Sequence, residues 1–177
     1  MVSERKKLIA YFSREGNNYV GGEIMNLPVG NTEVVAKMIQ KLTGDDIFRI
    51  ETIKKYPADY TETTEVAKQE LRQKARPELT GHVDNMAEYS VIYLGYPNWW
   101  GTMPMAVHAF LEEYDFSGTT IIPFCTHEGS GMGRSESDIK KLCSDAEVLK
   151  GLAFIGGNVQ GAENDIVAWL RKSGGIN

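Results

Sequence analysis

Three polar, glycine-bearing stretches hold the residues best suited to bind a charged or planar ligand. They are Ser13 with Gly30-Asn31-Thr32, Pro97-Asn98-Trp99-Trp100-Gly101, and Thr126-His127-Glu128-Gly129-Ser130-Gly131-Met132-Gly133. In the first, an apolar run ends at Ser13 and an amphipathic pattern opens at Gly30-Asn31-Thr32. That is strand, loop and helix start, where backbone N–H groups and a helix dipole converge on an anion. The loop supplies hydroxyls (Ser13, Thr32) and amides (Asn17, Asn18, Asn31), and its glycines let backbone approach an anion closely. It lacks the Lys of a Gly-x-x-x-x-Gly-Lys nucleotide loop. Neutral donors suit a resident phosphate-bearing cofactor better than a transferred phosphoryl group, which needs positive charge or Mg²⁺. Arg14 is the nearby cation, facing either the ligand or solvent. An ordinary polar strand-to-helix connection is the alternative for the whole stretch.

The second stretch puts two adjacent indoles in a loop bounded by Pro and Gly. Adjacent loop residues seldom both point inward, so at least one of Trp99 and Trp100 is available to stack on an aromatic ligand. The competing reading has one indole buried and the other shielding a neighbouring loop or a partner subunit. In the third stretch, flexible Gly and Ser positions flank His127 and Glu128, so backbone amides can meet a flat heterocycle edge-on. His127 could bond a ligand carbonyl or donate a proton; a solvated bystander is the alternative. Cys125 reads as a small buried hydrophobe, and Glu128 could equally be surface charge.

These loops need elements to carry them. Five short apolar runs, each followed by a helix-like pattern, organise the chain. Strands are expected over Leu8–Ser13, Asp46–Glu51, Ser90–Tyr96 and Thr119–Cys125. The fifth, Val148–Gly156, is interrupted by Lys150-Gly151. Helices are expected from Thr32 to a stop at Gly44, over Thr61–Ala75, after Pro104, from Ser135 and around Ile166–Leu170. Ser135-x-x-Asp138 resembles a capping box with Asp in place of Glu. Pro123 would remove one ladder bond from the fourth strand. Such alternation implies α/β architecture, a doubly wound five-stranded parallel sheet with right-handed crossovers. Ligands then bind beyond the carboxyl ends of the strands, where all three stretches fall.

The 177 residues suit one domain spanning 1–177, with a loop insertion at about 14–29. Hydrophobic residues at 42% and charged residues at 24% are an ordinary soluble, globular composition. A net charge of -5 argues against nucleic acid or anionic membrane, which need clustered Lys and Arg. Cys125 and Cys143 have no metal-ligand spacing and read as reduced thiols, so no metal is expected and the expected location is cytoplasmic. The basic Arg5-Lys6-Lys7 precedes an apolar run too short for a secretory signal, and no segment approaches membrane-spanning length.

Together the three stretches resemble the flavodoxin superfamily. Tyr11-Phe12-Ser13 with Gly30-Asn31-Thr32 matches its phosphate loop. Tyr96-Pro97-Asn98-Trp99-Trp100-Gly101 and Thr126-His127-Glu128-Gly129-Ser130-Gly131 match its ring-binding loops. The Pro-x-Trp-Trp loop is similar to the branch of FMN-dependent quinone reductases. The resemblance implies strand order 2-1-3-4-5 with FMN at the switch point. Ser13, Asn31 and Thr32 would hold the phosphate; Pro97 to Gly101 and Thr126 to Gly129 would sandwich or edge the isoalloxazine. It further implies electron transfer through bound flavin, from NAD(P)H to a quinone-type acceptor. The alternative is a carrier that meets a redox partner protein through acids such as Glu112, Glu113 and Asp115. Aromatics near such a site are compatible with a homodimer. The chain departs from the family where Arg14 to Val29 interrupts the phosphate loop. That insertion is expected to form a flap with Asn18 and Tyr19 near the ligand, and leaves open whether Asn17 or Asn18 meets the phosphate.

Overall fold

Along the first strand, β1 (Lys6–Tyr11), side chains alternate between two apolar layers, as a period-2 strand buried on both faces requires. Leu8, Ala10 and the following Phe12 join one core, while Ile9 and Tyr11 join the other. The computed structural model describes residues 5–177, so residues 1–4 of the expected domain lie outside it. After β1 come β2 (Gly16–Val20), β3 (Glu23–Leu27), α1 (Asn31–Thr43), β4 (Asp46–Arg49) and α2 (Tyr60–Gln73). Then follow β5 (Tyr89–Pro97), α3 (Met105–Glu113), β6 (Thr120–His127), α4 (Ser135–Leu142), β7 (Glu147–Val148), β8 (Leu152–Ile155) and α5 (Glu163–Lys172).

The main sheet is parallel in the order β4-β1-β5-β6-β7, with β8 also paired to β6. Numbered by their sequence in this sheet, the strands run 2-1-3-4-5, as the resemblance implied. The expected fifth strand is two pieces along one edge. β7 pairs with Thr120 and Ile121, β8 with Phe124 to His127. The break faces Pro123, which has no N–H to offer a ladder. Gly151 crosses it so closely that a Cβ there would stand 2.4 Å from the Pro123 carbonyl oxygen.

One layer buries α1 and α5 through Val35, Ile39, Ile166 and Leu170 against Ile9, Tyr93, Ile122 and Phe124. The other buries Val107, Phe110, Leu111 and Ile139 against Leu8, Ile92, Leu94 and Ile121. α1 ends where Gly44 takes φ 71° and donates to the Gln40 carbonyl, as the sequence suggested. α2 opens on Asp59, whose side chain accepts the Glu62 N–H at 2.9 Å.

The expected capping box at Ser135 does not form. Ser135 is the first residue of α4 rather than its cap. Its hydroxyl accepts from Tyr96 Oη at 2.8 Å and donates to the Met132 carbonyl at 2.6 Å. Asp138 instead accepts from Thr102 Oγ1 at 2.5 Å. The buried Tyr96 phenol takes the oxygen that a cap would have used.

The insertion forms an antiparallel hairpin of β2 and β3, turning at Gly21 (φ 61°) and Gly22 (φ 90°). Its root is tied to the loop before α2. The Arg14 guanidinium donates to the Pro57 and Ala58 carbonyls at 2.9 Å and also reaches the Asn17 carbonyl. Burial lowers the pKa of Arg14. Arg14 therefore joins two loops through carbonyls instead of standing free in solvent.

Candidate functional site

The carboxyl ends of β1, β5 and β6 open on one edge, beside the point where the chain leaves β1 toward β4 on one side and β5 on the other. A cavity of about 340 Å³ lies there. Ser13, Asn18, Asn31, Thr32, Pro97, Asn98, Trp99, Thr126, His127 and Glu128 all face it. Residues more than 100 positions apart in sequence thus share one wall.

At one end stands the start of α1. The amides of Asn31 and Thr32, in the first helical turn, have no intrahelical acceptor. Ser13, buried, accepts the Glu33 N–H through Oγ at 3.1 Å, which fixes the loop against the helix. The Thr32 and Thr126 hydroxyls are buried and lie 2.8 Å apart. One hydroxyl must donate to the other, so the second proton remains for a ligand. Gly30 has an ordinary φ of −64°, yet a Cβ there would stand 2.2 Å from Ser13 Oγ and 2.7 Å from the Arg14 carbonyl oxygen. The cradle closes only around glycine. Neutral donors with a helix dipole suit an oxyanion such as phosphate.

Of the two asparagines left open by the sequence, Asn18 lines the cavity and Asn17 turns away. Asn17 Oδ1 accepts the Tyr60 N–H at 2.8 Å. Asn18 donates to the Arg14 carbonyl at 2.8 Å and accepts from the Arg14 guanidinium at 3.2 Å.

The other end is aromatic. Trp99 meets Phe12 and Tyr56 edge-on, with ring centroids at 5.2 Å and 5.0 Å, and presents its remaining surface to the cavity. Trp100 does not reach this wall. With φ at 57°, a conformation few bulky residues adopt, it swings toward α2, where Nε1–H donates to the Thr64 carbonyl at 2.9 Å. Lys68 Nζ lies 5.3 Å from its ring centroid. Trp100 and Gly101 line an adjoining chamber of about 460 Å³ that shares Arg14, Asn18, Tyr60, Asn98, Trp99 and Ser130 with the first.

Asn98 joins the two ring-side loops. Its Nδ2 donates to the Gly131 carbonyl at 2.8 Å, its Oδ1 accepts the Gly101 N–H at 2.9 Å, and its own N–H donates to the Thr126 carbonyl at 2.9 Å. Gly129, with φ at 134°, is off the cavity wall because its N–H is directed at His127 Nδ1 at 2.9 Å. With Nδ1 accepting, the imidazole proton sits on Nε2, the nitrogen left to donate. Glu128 Oε2 accepts the Gly21 N–H from the hairpin turn at 3.1 Å, and Oε1 is buried without a partner.

Sequence reasoning passed over Gly156, Tyr60 and Leu27, and gave Ser130 no role of its own within the third stretch; all four are on the cavity wall. Gly156 was within reach, since it directly follows the last sheet strand on the same edge. Tyr60 and Leu27 carry no local signal, because only the hairpin's docking on α2 brings them in; Tyr19 stacks on Tyr60 at 6.0 Å. Among the described residues, no cluster of His, Cys, Asp and Glu could hold a metal ion, and no helix is long and apolar enough to cross a membrane.

Cys125, at the end of β6, is fully buried and its thiol is pushed up to about 12; Cys143 is also buried, with its thiol pushed up to about 11. A colorimetric thiol reagent at pH 8 should therefore find no fast-reacting cysteine in the native protein and both in denaturant. Rapid native labelling would contradict the packing at β6.

The sequence model of a family described as Flavodoxin matches residues 6–173. A protein from Bacteroides eggerthii DSM 20697, assigned as a flavoprotein, superposes with a TM-score of 0.76 at 27% identity, over 94% of this chain and 96% of that one. A flavoprotein from Lactobacillus acidophilus NCFM, solved in complex with FMN, gives 0.65 at 18% identity, over 89% and 97%. A structure assigned as a quinone reductase, from Klebsiella pneumoniae, gives 0.51 at 14% identity, over 94% and 84%. No curated protein matches the chain in sequence.

Proposed function

Because the chain belongs to the flavodoxin family, we propose that its cavity holds FMN and that the protein is an oxidoreductase passing electrons from NAD(P)H to a quinone-type acceptor. The observation that carries this is the pairing within one cavity of a lysine-free oxyanion cradle and an aromatic wall. The residues fit the group at both ends. Ser13, Asn31, Thr32 and Thr126 would hold the phosphate; Asn18 would close the loop over it. Pro97, Asn98 and Trp99 would face the ring, with the His127 Nε2–H available to a ring carbonyl. Trp100, Gly101 and Gly129 would act from outside, by shaping the neighbouring chamber and orienting His127.

When bound, FMN supplies the exchange of electrons with a nicotinamide or quinone-type molecule. The chain's part is to bind, orient and exclude water. The reading takes residues 1–177 as one domain in which the hairpin insertion belongs to the site. The carrier alternative draws no support from the acids first considered. Glu112 is paired with Arg76 at 2.8 Å, and Glu113 contacts His82. Glu112 and Glu113 are the last two residues of α3 and Asp115 follows it, the length of a nine-residue helix, about 13 Å, from the end that adjoins the Pro97–Gly101 loop.

The test is direct. Purified protein should be yellow, release FMN on denaturation, and oxidise NADH or NADPH when a quinone is supplied. A colourless preparation that takes up no added FMN would sink the flavin reading; flavin without turnover of either nucleotide would favour the carrier. Thr32→Ala should weaken FMN about tenfold more than riboflavin, the worth of one hydrogen bond to a charged group. Equal weakening of the two would place the phosphate elsewhere.

A further inference from the structure

Glu128 makes contacts that a ring-edge residue has no need of. Its Oε2 accepts the N–H of Gly21, the first residue of the hairpin turn, across 107 positions of sequence. Its Oε1 is buried beneath Gly156 with no hydrogen-bond partner. Gly156 leaves just enough room: a Cβ there would stand 2.3 Å from Glu128 Oε1 and 2.5 Å from Asn31 Nδ2. One carboxylate therefore sits where three separately arriving elements meet, the hairpin tip, the start of α1 and the turn after β8. Beside it, Val20 at the end of β2 is buried, and a Cβ added at Gly157 would meet its side chain at 3.6 Å. The root of the hairpin has several fastenings (Arg14, Asn17 to Tyr60, and the Tyr19–Tyr60 stack), whereas Glu128 supplies the polar one at the tip. Because Asn18, Tyr19 and Leu27 line the cavity, where the tip sits decides how the hairpin covers it.

We propose that Glu128 is a positioning residue that fastens the β2–β3 hairpin across the cavity, and that this fastening sets how long a phosphate-bearing flavin stays bound. The second half rests on the reading of the cavity as an FMN site; the first does not. Glu128 acts through the hairpin. A glutamine keeps an acceptor oxygen for Gly21, an alanine does not, and the two variants separate fastening from charge.

Exchange of the Gly21 amide with solvent deuterium, followed by NMR in the ligand-free protein, reads the fastening alone. Exchange should be about tenfold faster in Glu128→Ala than in the wild type, the value of one hydrogen bond, and nearly unchanged in Glu128→Gln. FMN dissociation should be faster by a similar factor in Glu128→Ala and close to wild type in Glu128→Gln. Gly156→Ala, which evicts the carboxylate from the opposite side, should reproduce the faster Gly21 exchange of Glu128→Ala; because its methyl also crowds Asn31 Nδ2, FMN dissociation is compared between the two Glu128 variants alone. Unchanged Gly21 exchange in both alanine variants would overturn the fastening. Faster FMN dissociation in Glu128→Gln with Gly21 still protected would overturn it as the cause of retention and assign that role to charge. If the wild type takes up no FMN, the functional reading fails while the exchange comparison still decides the fastening.

Discussion

Gly30→Ala should reduce FMN affinity about 100-fold, close to 2.8 kcal/mol at 1.4 kcal/mol per decade. The backbone at Gly30 has φ −64° and ψ 150°, which alanine adopts without strain, so the whole effect is steric. The added methyl would stand 2.2 Å from Ser13 Oγ, and 2.7 Å and 2.8 Å from the Arg14 carbonyl oxygen and carbon. A side chain can rotate away, but the Arg14 carbonyl is backbone, so the loop between β1 and the hairpin must move from the start of α1. That separates the Ser13 hydroxyl from the Glu33 N–H and spreads the cradle. Overpacking of this kind costs about 1–3 kcal/mol, and here the cost falls on the bound form. Fluorescence titration with FMN and riboflavin checks it: FMN should suffer more, because the damage is at the anion end. Wild-type affinity for FMN would mean that this loop does not hold the phosphate.

Gly95→Ala should lower global stability by roughly 3 kcal/mol, the upper end of the overpacking range. Gly95 lies in β5, directly paired with Phe124 of β6. A Cβ at Gly95 would stand 2.2, 2.3 and 2.9 Å from three atoms of the Phe124 ring. That ring is fully buried, edge-on to Trp169 at 6.2 Å, so it has nowhere to swing. β5 and β6 carry the Pro97–Gly101 and Thr126–Gly133 loops, so forcing them apart should also loosen flavin binding. Urea unfolding should give a lower midpoint with an unchanged slope. Phe124→Leu in the same chain should recover part of the loss, giving a favourable coupling in the double-mutant cycle. Additive losses would place the collision elsewhere.

Much of this protein is legible in its sequence. Alternating apolar runs and helical patterns are local, and β1, β4, β5 and β6 arise within a few residues of where the patterns place them. The sheet order was not in those patterns; it came from the resemblance carried by three loops, and parallel strands then put the loops on one edge. Where local reading failed, a long-range contact had priority. Tyr96 claims the Ser135 hydroxyl that would have capped α4, and Pro123 splits the last strand by facing it. The adjacent indoles were an unresolved pair in sequence. Packing on Phe12 and Tyr56 assigns Trp99 to the cavity, while the bond to Thr64 assigns Trp100 to the neighbouring chamber.

The sequence by itself determined the strands of the main sheet and the helices between them, the edge on which they converge and the residue types suited to a phosphate and a ring. Those follow from periodicity, from turn chemistry and from what glycine, serine and tryptophan can do wherever they stand. The tertiary structure decided which of them face the cavity. It turned Asn18 in and Asn17 out, set Thr32 against Thr126, and laid the inserted hairpin over the site with Glu128 at its tip. Such choices depend on contacts between residues 94 and 107 positions apart, whose energies exist only once the chain has closed on itself.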